Sequence, residues 1–109
     1  MKISVRDVAD AKVVEVDGEV DLGTSPDLRR TLFEALSGAR RLALNLGEIR
    51  YIDSSGIATL IEVLKRSQNM QKEFVLFGLN PRVLEVFRLT HVIRIFQVFQ
   101  TEQEALGTS

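Results

Sequence analysis

Apolar residues recur along this chain with two different periods. Ile3 and Val5 alternate with polar neighbours, and Val14, Val16 and Val20 recur in "VVEVDGEVDL" on either side of Asp17-Gly18. An Asp-Gly pair favours a tight turn, so the pattern predicts two early strands forming a hairpin there. In "GTSPDLRRTLFEALSG" the period lengthens. Leu28, Leu32, Ala35 and Leu36 share one helical face, Thr24 and Ser25 can cap it, Pro26 suits the first helical position and Gly38 suits the stop. "RLALNL" sets Leu42, Leu44 and Leu46 against Ala43 and Asn45, as in an interior strand covered at least partly on each face. Residues Gly47 to Asp53 then read as the way out of that strand.

The second helix has the strongest pattern: Ile57, Leu60, Ile61 and Leu64 are spaced i, i+3, i+4, i+7, leaving Glu62, Lys65 and Arg66 for solvent. "EFVLFGL" is a short apolar run of strand type. In "NPRVLEVFRLT" Asn80 can cap, Pro81 suits the first helical position, and Val83, Leu84 and Phe87 form a stripe. "IRIFQVF" predicts a last strand, and Thr101 with Glu104 forms a capping box for a short terminal helix from Glu102. Strands alternating with helices after the hairpin favour a predominantly parallel sheet with crossover helices. The fold class is therefore α/β, or mixed α+β, in a single domain over residues 1–109.

Composition narrows the setting. A chain of 109 residues has enough apolar content for one core and little for a second. A net charge of -1 offers no overall field to nucleic acid or an anionic membrane, so direct nucleic-acid binding is not expected. Without cysteine there is no disulfide, thiolate chemistry or zinc-thiolate site, and the cytoplasm is the natural compartment. "MKISVRDVAD" has no continuous apolar stretch of the signal-peptide kind, and no segment holds the roughly 20 apolar residues that span a bilayer. A soluble, unprocessed chain without membrane insertion is expected.

The candidate chemistry is Asp53-Ser54-Ser55-Gly56, where a strand region hands over to the second helix. One reading is capping, which needs a single side-chain oxygen and contributes about 1 kcal/mol. The other is regulation. A glycine leaves the helix start bare, and unpaired N–H groups with the helix dipole can favour a phosphate there, so a serine hydroxyl becomes a credible acceptor. Catalysis fares worse, because an activated serine needs a base and the lone His91 sits in an apolar stretch. No metal constellation, nucleophile elbow or phosphate-binding loop is present, so no catalytic residue, metal or cofactor is assigned. Tyr51 and the phenylalanines at 74, 77, 87, 96 and 99 read as core or edge packing, since no basic stripe accompanies them for base stacking.

"GEVD" at Gly18 to Asp21, "LALNLGEIRYIDSSGIATLIEVLKRSQ" at Leu42 to Gln68 and "LFGLNPRVLEVFRLT" at Leu76 to Thr90 together resemble successive landmarks of the STAS domain of bacterial anti-sigma factor antagonists. The resemblance covers nearly the whole chain and implies a mixed, mostly parallel sheet with helices mainly on one side. It implies that Ser55 is phosphorylated by a partner that is both anti-sigma factor and serine kinase, with Asp53, Ser54 and Gly56 as its surroundings. A metal-dependent serine phosphatase would reverse the modification. Asp21 matches an acidic partner-binding position near the acceptor, and Thr24 lies in the same loop. Such a protein regulates transcription by partner switching: unmodified, it holds the kinase and frees the sigma factor. The same domain also serves as a structural subunit, for example in a lipid-transport ABC system or a stress-sensing complex, and that is the alternative. The chain departs from the pattern at His91, where many members carry glycine; a partly buried turn residue is expected there.

Overall fold

A computed structural model describes residues 1–107, so the last two positions of the expected domain lie outside the described residues. Strand β1 (Lys2–Val8) pairs antiparallel with β2 (Ala11–Val20). Helix α1 (Ser25–Ser37) leads to β3 (Arg41–Ile52), α2 (Ser54–Asn69) to β4 (Glu73–Phe77), and α3 (Pro81–Leu89) through a 3-10 turn (Val92–Arg94) to β5 (Gln97–Phe99). A short α4 (Glu102–Ala105) follows. The sheet order is β1-β2-β3-β4-β5, parallel from β2 onward. The mixed α/β class and the mostly parallel sheet are as the sequence predicts.

Alternation along the strands divides the core in two. Val14, Val16, Leu42, Leu44, Phe74 and Leu76 point to one face and pack with α1, α2 and α3. Val13, Ala43, Val75 and Phe77 point to the other, where α4 contributes Ala105. The buried sides of α1 and α3 carry the expected Leu28, Leu32, Ala35, Leu36, Val83 and Phe87, whereas Leu84, expected on the same stripe, is only half-buried. In α2 the buried stripe is rotated: Ile57, Leu60 and Val63 are buried, whereas Ile61 and Leu64 are half-buried against the edge of the core. Asn80 caps α3 by accepting from the Val83 amide at 3.0 Å, and the capping box of α4 forms as expected. Lys72 also donates to the Leu36 and Ser37 carbonyls at 2.6 and 3.0 Å, closing the C-terminus of α1.

Four expectations fail, each for a local reason. The hairpin turn is Ala9-Asp10, with Ala9 in the left-handed region at φ 55°, and Asp17-Gly18 lies inside β2. Gly18, at φ 125°, serves an irregularity in the β2·β3 ladder instead of a turn. Second, β3 runs on to Ile52 and does not leave the sheet at Gly47. Between Glu15↔Asn45 and Asp17↔Glu48, and again between Gly18↔Ile49 and Glu19↔Tyr51, β3 gains a residue on β2, which destroys the alternation by which a strand is recognised. Third, the predicted last strand shortens to Gln97–Phe99 because Val92–Arg94 coil into the 3-10 turn. Fourth, His91 takes the left-handed conformation (φ 62°) that suits glycine, but it is exposed, not partly buried. Histidine is among the residues that tolerate this region. Tyr51 likewise is 52% exposed, unlike the packed phenylalanines.

Candidate functional site

Val20 and Ile52 are paired neighbours at the carboxyl ends of β2 and β3, and the Asp53 amide donates to the Val20 carbonyl at 3.2 Å. The residues that follow them, Asp21 and Asp53, therefore leave the sheet side by side. This brings the loop 21–24 together with the start of α2, two segments about thirty residues apart in sequence, at one end of the sheet. Open parallel sheets commonly place their functional loops at this carboxyl end.

The first loop is tied to itself. Asp21 Oδ1 accepts from the amides of Gly23 (2.9 Å) and Thr24 (3.0 Å). Thr24 Oγ1 accepts from the Asp21 amide and donates to the Glu19 carbonyl, each at 2.9 Å. The buried Ser25 hydroxyl donates to the Asp21 carbonyl at 2.6 Å. Thr24 and Ser25 thus differ from their expected capping role: Thr24 occupies the N-cap position without a side-chain cap bond, and both hydroxyls fasten the preceding loop.

The second segment resolves the redundancy of Asp53-Ser54-Ser55. Asp53 is the cap. Its backbone is extended and its Oδ1 accepts from the Ser55 and Gly56 amides at 2.9 and 3.3 Å. Neither serine hydroxyl has a hydrogen-bond partner among the described residues; Ser54 is exposed and Ser55 half-buried. Gly56 is buried, and a Cβ there would lie 2.7 Å from both Ile52 Cγ1 and Val20 Cγ1. Its bareness admits the helix onto the two strand ends and does not open space toward solvent beside Ser55, which corrects the expectation of a bare helix start.

The two segments are themselves acidic, while Arg82 of α3 lines a cavity with Tyr51 and Ile52. Residues 19–28 hold Glu19, Asp21 and Asp27 and no lysine or arginine, and residues 51–61 hold Asp53 alone among charged groups. Arg50, the nearest base in sequence, is engaged with Asp17 at 3.0 Å. His91 follows α3, whose C-terminus returns to the opposite end of the sheet, so topology separates it from Ser55. The described residues contain no cluster of His, Cys, Asp and Glu fit for a metal, and no helix among them is long and apolar enough to cross a membrane. A groove of about 400 Å³ between residues 47–50 and Asn80–Arg82 excludes Asp21, Ser54 and Ser55. The candidate site is a surface, the form that suits a protein more than a small molecule.

Leu22, between Asp21 and Gly23, escaped the sequence reading although it is 78% exposed, the most of any large apolar side chain among the described residues. The available signal was an apolar residue between turn formers, outside any periodic stripe.

The STAS domain family model matches residues 2–105. The anti-sigma-B factor antagonist of Listeria monocytogenes is 31% identical over 96 residues, covering 86% of this chain and 83% of that one. Among solved structures, an anti-sigma factor antagonist from Mycobacterium paratuberculosis superposes with a TM-score of 0.86 at 22% identity, over 97% of this chain and 91% of its own. The Bacillus cell fate determinant SpoIIAA, solved in its phosphorylated form, gives 0.75 at 18% identity over 97% of each chain. With a family match across nearly its whole length and that fold, this chain belongs to the STAS domain family, among relatives that are anti-sigma factor antagonists.

Proposed function

We propose that this protein is a non-enzymatic anti-sigma factor antagonist of the cytoplasm, which binds an anti-sigma factor with serine kinase activity and is released from it by phosphorylation of Ser55. A metal-dependent serine phosphatase restores the binding form, and neither nucleic acid nor membrane insertion enters the cycle. The observation that carries this reading is the division of labour at the start of α2: Asp53 holds the helix end alone, leaving the Ser55 hydroxyl without a structural partner. A hydroxyl free of capping can be modified without unmaking the cap.

Phosphate adds about -1.5 to -2 charge and three acceptor oxygens. At Ser55 that charge joins Asp53 and the neighbouring Asp21 loop. A partner shaped to this acidic surface meets altered size, hydration and charge. Asp21, Thr24, Ser54 and Gly56 belong to the same docking region, Gly56 from beneath.

The test pairs Ser55→Ala with Ser55→Asp, using a purified anti-sigma factor serine kinase that phosphorylates the wild-type chain. Mass spectrometry should place the phosphate on Ser55; modification only at Ser54 or Thr24 relocates the switch. By calorimetry, alanine should bind within a few fold of wild type and aspartate roughly tenfold or more weakly. Both should melt close to wild type. Equal loss of binding in the two variants makes the hydroxyl a contact and not a charge switch.

A further inference from the structure

We propose that Leu22 is the apolar anchor of the docking surface and that Asp21 contributes to binding by positioning Leu22, not by meeting the partner with its own charge. The proposal rests on the partner-binding reading above and names the occupant: a protein surface with an apolar pocket rimmed by lysine or arginine.

The geometry separates the two neighbours sharply. Asp21 Oδ1 is taken up by the Gly23 and Thr24 amides, with Thr24 Oγ1 a further 3.2 Å contact. The Asp21 carbonyl accepts from the Ser25 hydroxyl and from the amides of Thr24 (3.2 Å) and Ser25 (2.8 Å). Every one of these bonds runs inward. What they enclose is a turn whose only large outward group is the Leu22 side chain. Single exposed apolar residues are common on protein surfaces, so exposure alone does not mark a site. An apolar side chain held on a closed turn is different, because the ordering cost that binding would otherwise meet has already been met in folding.

The occupant follows from charge. Glu19 is exposed and its carboxylate has no hydrogen-bond or ion-pair partner among the described residues, and Asp53 follows the strand end beside Val20. An apolar projection on a segment whose one free carboxylate is Glu19 and which carries no lysine or arginine fits a hydrophobic pocket with a cationic rim. Leu22 and Ser55 follow adjacent strand ends, so the bulk and bound water of a phosphate at Ser55, more than its sign, would keep a partner from closing on Leu22.

The experiment measures binding of the purified kinase that phosphorylates wild type to Leu22→Ala, Asp21→Ala, Asp21→Asn and the Leu22→Ala/Asp21→Ala double variant. Each is melted in parallel. Asparagine keeps a side-chain carbonyl for the Gly23 and Thr24 amides while removing the charge. Leu22→Ala should weaken binding roughly tenfold to a hundredfold, from the apolar area lost, with no change in melting temperature. Asp21→Ala should lose about tenfold, Asp21→Asn should bind within about threefold of wild type, and the double variant should be little worse than Leu22→Ala alone. Binding by Leu22→Ala within about twofold of wild type overturns the anchor, and an asparagine variant as weak as alanine overturns the positioning role. A wild-type chain that no such kinase binds or phosphorylates overturns the function on which both rest.

Discussion

Replacing Gly56 with alanine drives a methyl group into the junction between α2 and the two strand ends. The added carbon would lie 2.7 Å from Ile52 Cγ1, 2.7 Å from Val20 Cγ1 and 3.1 Å from Ile52 Cδ1. Carbon atoms prefer separations of about 3.5–4.0 Å, so two contacts are too short by roughly 1 Å each. Val20 and Ile52 are both buried and paired in the sheet, which leaves them little freedom to yield. Overpacking of this kind costs about 1–3 kcal/mol. Alanine's advantage over glycine within a helix returns about 0.5–1 kcal/mol. Because neither neighbour can yield, the upper part of the overpacking range applies, about 2–3 kcal/mol, and the net expectation is a loss of about 1–2.5 kcal/mol, or roughly 4–11 °C in melting temperature for a chain of this size. Thermal unfolding followed by circular dichroism reads it directly. Gly23→Ala is the control, because a Cβ there meets only Asp21 Oδ1 at 3.4 Å and should leave the melt nearly unchanged. A Gly56→Ala protein as stable as wild type would refute the reasoning and return Gly56 to the solvent-facing role that the sequence suggested. Because the strain acts on the helix carrying Ser55, the rate of Ser55 phosphorylation should also fall in this variant.

Two further predictions concern the scaffold. His91→Gly should stabilise the domain by up to about 1 kcal/mol, since the left-handed backbone at φ 62° disfavours a side chain and the imidazole is exposed; a lower melting temperature would mean that the ring makes contacts worth more than the strain. Asn80→Ala should destabilise by about 2–3 kcal/mol in urea titration. It removes both the cap on Val83 and the amide donor to the Ile49 and Gly47 carbonyls at 2.7 and 3.1 Å. Asn80→Asp should recover only the cap, so recovery to full stability would show that the donor side of the amide contributes nothing.

The helices were legible because their signals are local. Asn80 with Pro81, and Thr101 with Glu104, act within one turn of chain, and nothing distant overrides them. The sheet was less legible where its pairing is irregular. The Ala9-Asp10 turn asks an alanine to adopt a left-handed backbone, a choice that sequence propensity argues against and strand pairing enforces. The later half of β3 hides because its extra residues against β2 break the alternation. At the candidate site the Asp-Ser-Ser-Gly run was visible, but the division of duties was not. Three adjacent oxygen-bearing side chains look equivalent as caps until the extended backbone of Asp53 selects one of them. Similarly, the family resemblance pointed to Asp21 and Thr24, whereas their internal bonding depends on the loop folding back onto Glu19.

That division explains why a charge at Ser55 can act on a partner while sparing the fold. Helix dipoles favour an anion at an N-terminus by about 0.3–1 kcal/mol at exposed sites, so a phosphate at the start of α2 gains something within its own chain. The Asp53 carboxylate already occupies two of the free amides, however, and repels the newcomer. The two effects oppose each other locally, so neither folding nor unfolding is strongly driven. No such cancellation operates in a complex, where the phosphate is pressed against a second protein and loses water that its own chain does not replace. Phosphorylation at a serine that also capped the helix would have coupled the signal to unfolding. With the cap assigned to Asp53 and the turn closed by Asp21, Thr24 and Ser25, the Ser54 and Ser55 hydroxyls and the Leu22 side chain are left unbound among the described residues, and a change at Ser55 is felt first by whatever covers them.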